Sequence, residues 1–305
     1  MENKKKSSSI IRKIIFFVSL IIFIVSLVII LNIFLVEPYT NKSKMDNVRE
    51  IYYSANANEE NKNTFEDLCN LNPDITGWIK IQNTVIDYPV LYPPKNDPLF
   101  YLYRDYNKNY TKYGSIFIDS SCDLGNPDLK NIIVHGHSMN DGSMFKSLIS
   151  FSNLDVYKNS PLIELNLREQ KSLWKIIAII KVNTLPEQGE IFDYLKISFK
   201  NDSSFLNYIY QLKLRSLINT PVDINENDNL LTLSTCSYEM KDFRTAVIAR
   251  KVRDHEDETI DTSLARVNPQ PLMPQAYYAT HGGIAPQFST FEEDLAKGKI
   301  NWYKK

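Results

Sequence analysis

The polar and apolar positions of this chain change period three times. From Ile14 to Val36 the sequence reads IIFFVSLIIFIVSLVIILNIFLV, interrupted only by the uncharged polar residues Ser19, Ser26 and Asn32. As a helix rising 1.5 Å per residue, the run spans about 35 Å, enough to cross a hydrocarbon layer of roughly 30 Å with some tilt. Lys4, Lys5, Lys6, Arg12 and Lys13 precede it, and Glu37 is the first charge after it. That asymmetry predicts a cytoplasmic basic segment over 1–13, a transmembrane helix over 14–36 and everything beyond it outside the cell. The run exceeds the apolar core of a signal peptide and no small-x-small cleavage pattern follows it, so an uncleaved, single-pass anchor is expected.

Residues 37–63 are mostly polar and read as a stalk or a loosely attached helical segment. A short amphipathic turn at Phe65, Leu68 and Leu71 stops at Asn72-Pro73-Asp74. The period then shortens. GWIKI (77–81), VIDYPV (85–90), SIFID (115–119), NIIVHG (131–136), LIELNL (162–167), LWKIIAIIKV (173–182), NLLTLST (229–235) and RTAVIARKV (244–252) are short β-rich runs separated by turn residues. Eight such runs, several nearly continuous in apolar character, predict a mainly β fold closed or almost closed into a barrel. Two stretches break the pattern as expected helices. GSMFKSLISF (142–151) follows the fourth strand. DSSFLNYIYQLKLRSLI (202–218) opens on the capping residues Asp202 and Ser203 and repeats apolar residues at helical spacing. The expected catalytic domain is 64–253. The tail, 254–305, is rich in Pro and polar residues and is expected to wrap the domain or remain disordered.

Composition narrows the chemistry. Lys plus Arg (35) nearly balance Asp plus Glu (36), which removes the global basic field that nucleic-acid binding requires. With 9 glycines in 305 residues, a glycine-rich phosphate loop is not expected. The three cysteines, Cys69, Cys122 and Cys236, do not form a CxxC pair, and an odd count leaves at least one thiol free within the monomer. A bridge between Cys69 and Cys122 is left open.

The strongest local chemical signal is TLSTC (232–236), an apolar strand that delivers a cysteine at its exit. A nucleophile needs that combination of exposure and rigid aim. Arg244 opens the following strand. If the two strands are antiparallel neighbours, Cys236 and Arg244 share one end of the barrel, where a guanidinium can donate to an oxyanion or a substrate carbonyl. A thiol nucleophile also needs a proton partner. His135 and His137 lie in VHGHSM, at another strand exit, with Gly136 expected to permit a tight turn; His255 and His281 lie in the tail. A histidine near the thiol can serve as acid for the leaving amine and base for the incoming one, and a neighbouring cation favours the thiolate. No carboxylate or second thiol stands at ligand spacing from the H-x-H pair, so no metal site is expected.

These residues resemble the sortases, the cysteine transpeptidases that attach proteins to Gram-positive cell walls. TLSTC, Arg244 and the upstream HGH carry the resemblance, which covers about residues 64–252. Within it, NPDITGWIKIQNTVIDYPV (72–90) and GHSMNDGSMFKSL (136–148) resemble class B sortases. The resemblance implies a sortase-type eight-stranded barrel with flanking helices, Cys236 as nucleophile, His137 as acid and base, and Arg244 on the substrate or oxyanion. Ser234 and Thr235 would shape the substrate pocket, and His135 has no family role. It also implies no cofactor, partners in the form of surface proteins bearing NPQTN-like or (N/S/P)PxTG-like sorting signals, and a peptidoglycan amine as acceptor. The tail departs from the family. It contains NPQPL (268–272), which echoes the start of a sorting signal, and it is expected to be either a lid on the groove or a loose appendage. Competing readings are a cysteine endopeptidase, a pilin-polymerising sortase, for which Asp97-Pro98-Leu99-Phe100 only loosely matches the expected lid, and an inert wall-binding scaffold.

Overall fold

The structure is a computed structural model that describes residues 2–57, 64–168 and 170–304. It divides into two units, 1–50 and 51–305. In the first, α1 (Glu2–Leu31) runs through a π-helical turn at Asn32–Val36 into α2 (Glu37–Ala57), whose last residues belong to the second unit. Every residue from Ile10 to Val36 is exposed, and Ile14–Val36 carries apolar residues on every side. Such a helix fits lipid as its solvent. Part of the expected stalk, residues 58–63, lies outside the described residues.

The second unit takes in the end of α2 and α3 (Thr64–Leu71) and is built on a closed barrel. Its strands are β1 (Ile75–Lys80), β2 (Asp87–Leu91), β3 (Ile116–Ile118), β4 (Asn131–His135), β5 (Leu162–Leu167), β6 (Gln170–Val182), β8 (Leu230–Ser237) and β9 (Phe243–Lys251), in the spatial order β1-β2-β3-β4-β8-β9-β6-β5. All eight runs read from the sequence are the barrel's strands, with ends shifted by a few residues. Two further short strands, β7 (Ile218–Asn219) and β10 (Arg266–Val267), pair with each other outside it. Most pairings are antiparallel, but β2 with β3 and β4 with β8 are parallel. The parallel contact of β4 with β8 decides the site, because it sets the exit of the histidine strand beside the exit of the cysteine strand.

The helices differ from expectation in detail. Residues 142–151 do not form one α-helix. Met144 has φ +57° and bridges back to Ser138, and only then does a 3-10 turn (Lys146–Ser152) lead into α4 (Leu154–Asn159). The apolar spacing is real, but the left-handed residue at its start blocks helix nucleation there. The long helix, α5 (Asp202–Arg215), is capped by Asn201, whose side chain accepts from Ser204 N while Ser204 Oγ accepts from Asn201 N. It ends at Ser216, so Ile218 is a strand residue. Its Phe205, Ile209 and Leu212 pack on the outer face of β6 and β9, in a cluster with Ile180, Ala246 and Ile248.

The tail is packed and is not a loose appendage. Val267 pairs with Ile218, Leu272 N donates to Leu214 O, and α6 (Gln275–His281) brings Gln275 against Gly189. Next, α7 (Phe291–Ala296) buries Phe291 in the α5 cluster. The tail is tied at its root by a buried charge. Arg250, fully buried on β9, donates through Nη1 and Nη2 to both oxygens of Glu256 at 2.6 and 2.7 Å, and Lys175 adds a third bond at 2.8 Å. Arg250→Met leaves Glu256 with one cation and is expected to cost about 3–5 kcal/mol. A fall in the urea midpoint of the full chain measures it, and an unchanged midpoint would show the cluster to be dispensable.

Candidate active site

The register of β8 with β9 pairs Cys236 directly with Arg244. Directly opposed residues of an antiparallel pair share a face, and residues two apart along a strand share it too. Ser234, Cys236, Arg244 and Ala246 therefore lie on one face, the outer one, since Ala246 belongs to the α5 cluster. Cys236 is half-buried at the strand's end, where a substrate can reach it.

The histidine strand arrives alongside. In the parallel register His135 faces Ser234; Gly136 N then donates to Ser234 O at 3.2 Å, and Thr235 Oγ1 donates to Gly136 O at 2.8 Å. His137 follows two residues beyond this pairing, at the same end of the barrel as Cys236. Gly136 is required here by space and not by a left-handed backbone. A Cβ at that position would lie 2.4 Å from Ile116 Cδ1 and 2.7 Å from Phe145 Cδ2. His135 does something different: its Nε2 pairs with Asp119 Oδ2 at 2.8 Å, a structural contact below the site.

His137 is held from the far side. Its Nε2 lies 2.7 Å from Leu102 O, and a carbonyl can only accept, so Nε2 carries the proton. That leaves Nδ1 with its lone pair when the ring is neutral. Tyr103 packs on the ring at a centroid distance of 5.4 Å. Burial pushes the His137 pKa below its ordinary value; the Leu102 carbonyl opposes this and the charge on Arg244 reinforces it. The resting ring is therefore neutral at pH 7. The unfolded chain binds the extra proton between the folded and unfolded values, so this residue makes stability fall as pH drops through about 6.5. Arg244→Met removes the charge that adds to the effect of burial, and an NMR titration is expected to show the His137 pKa rising; no rise would place the two groups too far apart to couple.

Arg244 is aimed by backbone. Its Nη1 donates to Asp242 O at 3.2 Å and to Phe243 O at 3.1 Å, leaving the other nitrogens of the guanidinium for a ligand. Ser234 and Thr235 flank the thiol in the chain, yet both are nearly fully buried with their hydroxyls engaged. Ser234 Oγ meets Tyr194 OH at 2.8 Å, and Thr235 bonds Gly136 as above. Tyr194, Leu102 and Tyr103 carry no local sequence signal, because each reaches the site across at least 34 residues. Among the described residues, no three His, Cys, Asp or Glu side chains converge as a metal-binding set. A cavity of about 1120 Å³, lined by Tyr92, Arg168, Leu230 and Lys251 among others, lies at the opposite end of β8 from Cys236.

No family model matches the chain. Sortase B of Staphylococcus aureus is 31% identical over 191 residues, which is 62% of this chain and 75% of that protein. Sortase B of Listeria monocytogenes is 32% identical over 213 residues, 68% of this chain and 82% of that one. The chain belongs to the class B sortases. It is a sortase-type cysteine transpeptidase, with sorting-signal proteins and an amine acceptor as its two substrates. Solved structures agree in fold. A substrate complex of S. aureus sortase B superposes with a TM-score of 0.64 at 27% identity, covering 72% of this chain and 99% of that one. A mutant form of Clostridium perfringens sortase B gives 0.61 at 31%, covering 69% and 97%. Both matches take in nearly all of the relative and leave more than a quarter of this sortase unmatched.

Proposed function

We propose that Cys236, His137 and Arg244 carry the transpeptidation, on a sorting signal of the NPQTN-like or (N/S/P)PxTG-like kind. The carrying observation is the strand register that pairs Cys236 with Arg244 and runs the His137 strand parallel beside them. Neutral His137 takes the thiol proton, and the Cys236 sulfur attacks the carbonyl carbon of Thr, at the peptide bond that follows it in the signal. Negative charge gathers on the carbonyl oxygen, within the donor field of Arg244. As the C–N bond breaks, the protonated imidazole hands its proton to the leaving amine, and the acyl group remains on sulfur as a thioester. A peptidoglycan amine then gives a proton to His137, attacks the thioester and releases the thiol. Ser234 and Thr235 serve this reading by holding the cysteine strand against Tyr194 and the histidine strand.

The α1 helix supports single-pass anchoring with the basic residues Lys4 to Lys13 inside and the barrel outside, where exported proteins and wall precursors meet. Incubating the full chain in detergent with NPQTN, NPKTG and SPKTG peptides, with and without a peptidoglycan-type amine, tests the reaction. The expected result is cleavage after Thr and a new amide to the added amine. Cleavage that gives only free acid in saturating amine would make it an endopeptidase. Protease accessibility in intact cells tests the topology, and protection of the barrel would reverse it.

A further inference from the structure

A buried lysine beside the site has no part in the chemistry above. Lys181 sits on β6 opposite Thr245 of β9, one residue from Arg244, and only 5% of its side chain is exposed. Its ammonium donates to Thr245 Oγ1 at 2.9 Å and to Glu239 Oε1. Glu239 lies in the loop that joins Cys236 to Arg244. Lys181, Thr245 and Thr235 point to the barrel's inner face, whereas Val182, Arg244 and Cys236 point outward. The ion pair therefore fastens the loop from beneath the face on which the reaction takes place.

The same loop is held at other points. Tyr238 OH donates to Ser138 O at 2.9 Å, next to His137. Gln188 Nε2 donates to Lys241 O and Thr184 Oγ1 to Asp242 O, both at 2.8 Å. Asp242, whose carbonyl also receives Arg244 Nη1, adopts φ +58°, a left-handed conformation that needs support from its surroundings. Only the lysine is buried, since a third of the Glu239 side chain is exposed, and such a pair adds little stability over well-packed apolar side chains. A stability role therefore does not account for placing one under this loop.

We infer that Lys181 and Glu239 are positioning residues for transpeptidation, mooring the Cys236–Arg244 loop so that the guanidinium stays over the reacting carbonyl. The inference rests on the assignment of Cys236 and Arg244 above. Burial alone would lift the Glu239 carboxyl, but the hydrogen bonds it accepts, that from Lys181 first, together with the lysine's charge hold it below the usual carboxylate value, so the carboxyl is ionised at neutral pH.

The test is the double variant Lys181→Met/Glu239→Met in the full chain, with Glu239→Asp beside it. The double variant is expected to melt at or above the parent temperature and to keep its KM for a sorting peptide, while kcat falls about tenfold from the misplaced arginine. Glu239→Asp keeps both charges on a shorter arm, and a smaller fall in kcat is expected. Mapping the thiol labelled by a methanethiosulfonate reagent is expected to find Cys236 still reactive in both. A double variant with kcat within about twofold of the parent overturns the inference, as does a kcat that falls only in step with the folded fraction. If the double variant does not fold, an unchanged kcat in Glu239→Asp overturns it. Cys236→Ala in the same assay separates the two levels. Turnover surviving that substitution defeats the site assignment itself, whereas its loss alongside unaffected pair variants defeats only the mooring role.

Discussion

Replacing Cys236 by alanine is expected to abolish peptide transfer, a loss of about 10⁴-fold or more in kcat, while the protein stays folded. The size follows from covalent catalysis: without the sulfur no acyl intermediate forms, and Arg244 and His137 have nothing to stabilise. The fold survives because Cys236 is half-exposed at the end of β8, and its backbone bonds, not its side chain, hold the strand to β9. The other two thiols are the controls. Cys122 is fully buried, its Sγ accepting from Ile133 N at 3.3 Å, and burial pushes its pKa up to about 11. Cys69 sits on α3, with its Sγ 3.8 Å from Ile75 O. Alanine at either position is expected to leave the specific activity of the folded protein unchanged. Amine-dependent turnover by HPLC, with melting temperatures alongside, reads all three.

Arg244→Lys is expected to lower kcat by about 10²–10³-fold with a much smaller change in KM. Lysine keeps the charge but not the fork. Arg244 spends Nη1 on two backbone carbonyls, which orients the plane and leaves its remaining donors pointing outward. A single ammonium on a flexible stem cannot hold the backbone and present a fixed donor at once. The loss belongs mainly to kcat because charge on the substrate oxygen grows only as the tetrahedral intermediate forms. A loss confined to KM would instead make Arg244 a binding residue for the ground-state peptide.

What the sequence disclosed depended on how far each interaction reaches along the chain. The strands were legible from their apolar runs and turns, and so was the Cys236–Arg244 pairing, since an antiparallel hairpin brings its two ends together by construction. That His137 joins them required knowing that β4 pairs parallel to β8, which no periodicity states. The 142–151 stretch misled because its apolar spacing fits a helix, whereas the backbone turns left-handed at Met144. The tail's composition left open whether it wraps the domain. Its few apolar residues, Phe291 and Trp302 among them, are spaced widely, yet they pack on and beside the α5 cluster. The NPQPL echo proved uninformative about its place: Asn268 bonds Leu217 and Ser216. The supports of the site were illegible for the same reason. Leu102 reaches His137 across 35 residues, Tyr194 reaches Ser234 across 40, and Lys181 reaches Glu239 across 58.

The thioester is the most direct point of contact with experiment. The full chain, mixed with a sorting peptide in the absence of amine and quenched in acid, is to be digested and examined by mass spectrometry. An acyl adduct, equal in mass to the peptide up to its Thr, is expected on the fragment that contains Cys236, discharged when amine is added before the quench. An adduct on Cys69 or Cys122, or amine-dependent product with no adduct on Cys236, would contradict that expectation.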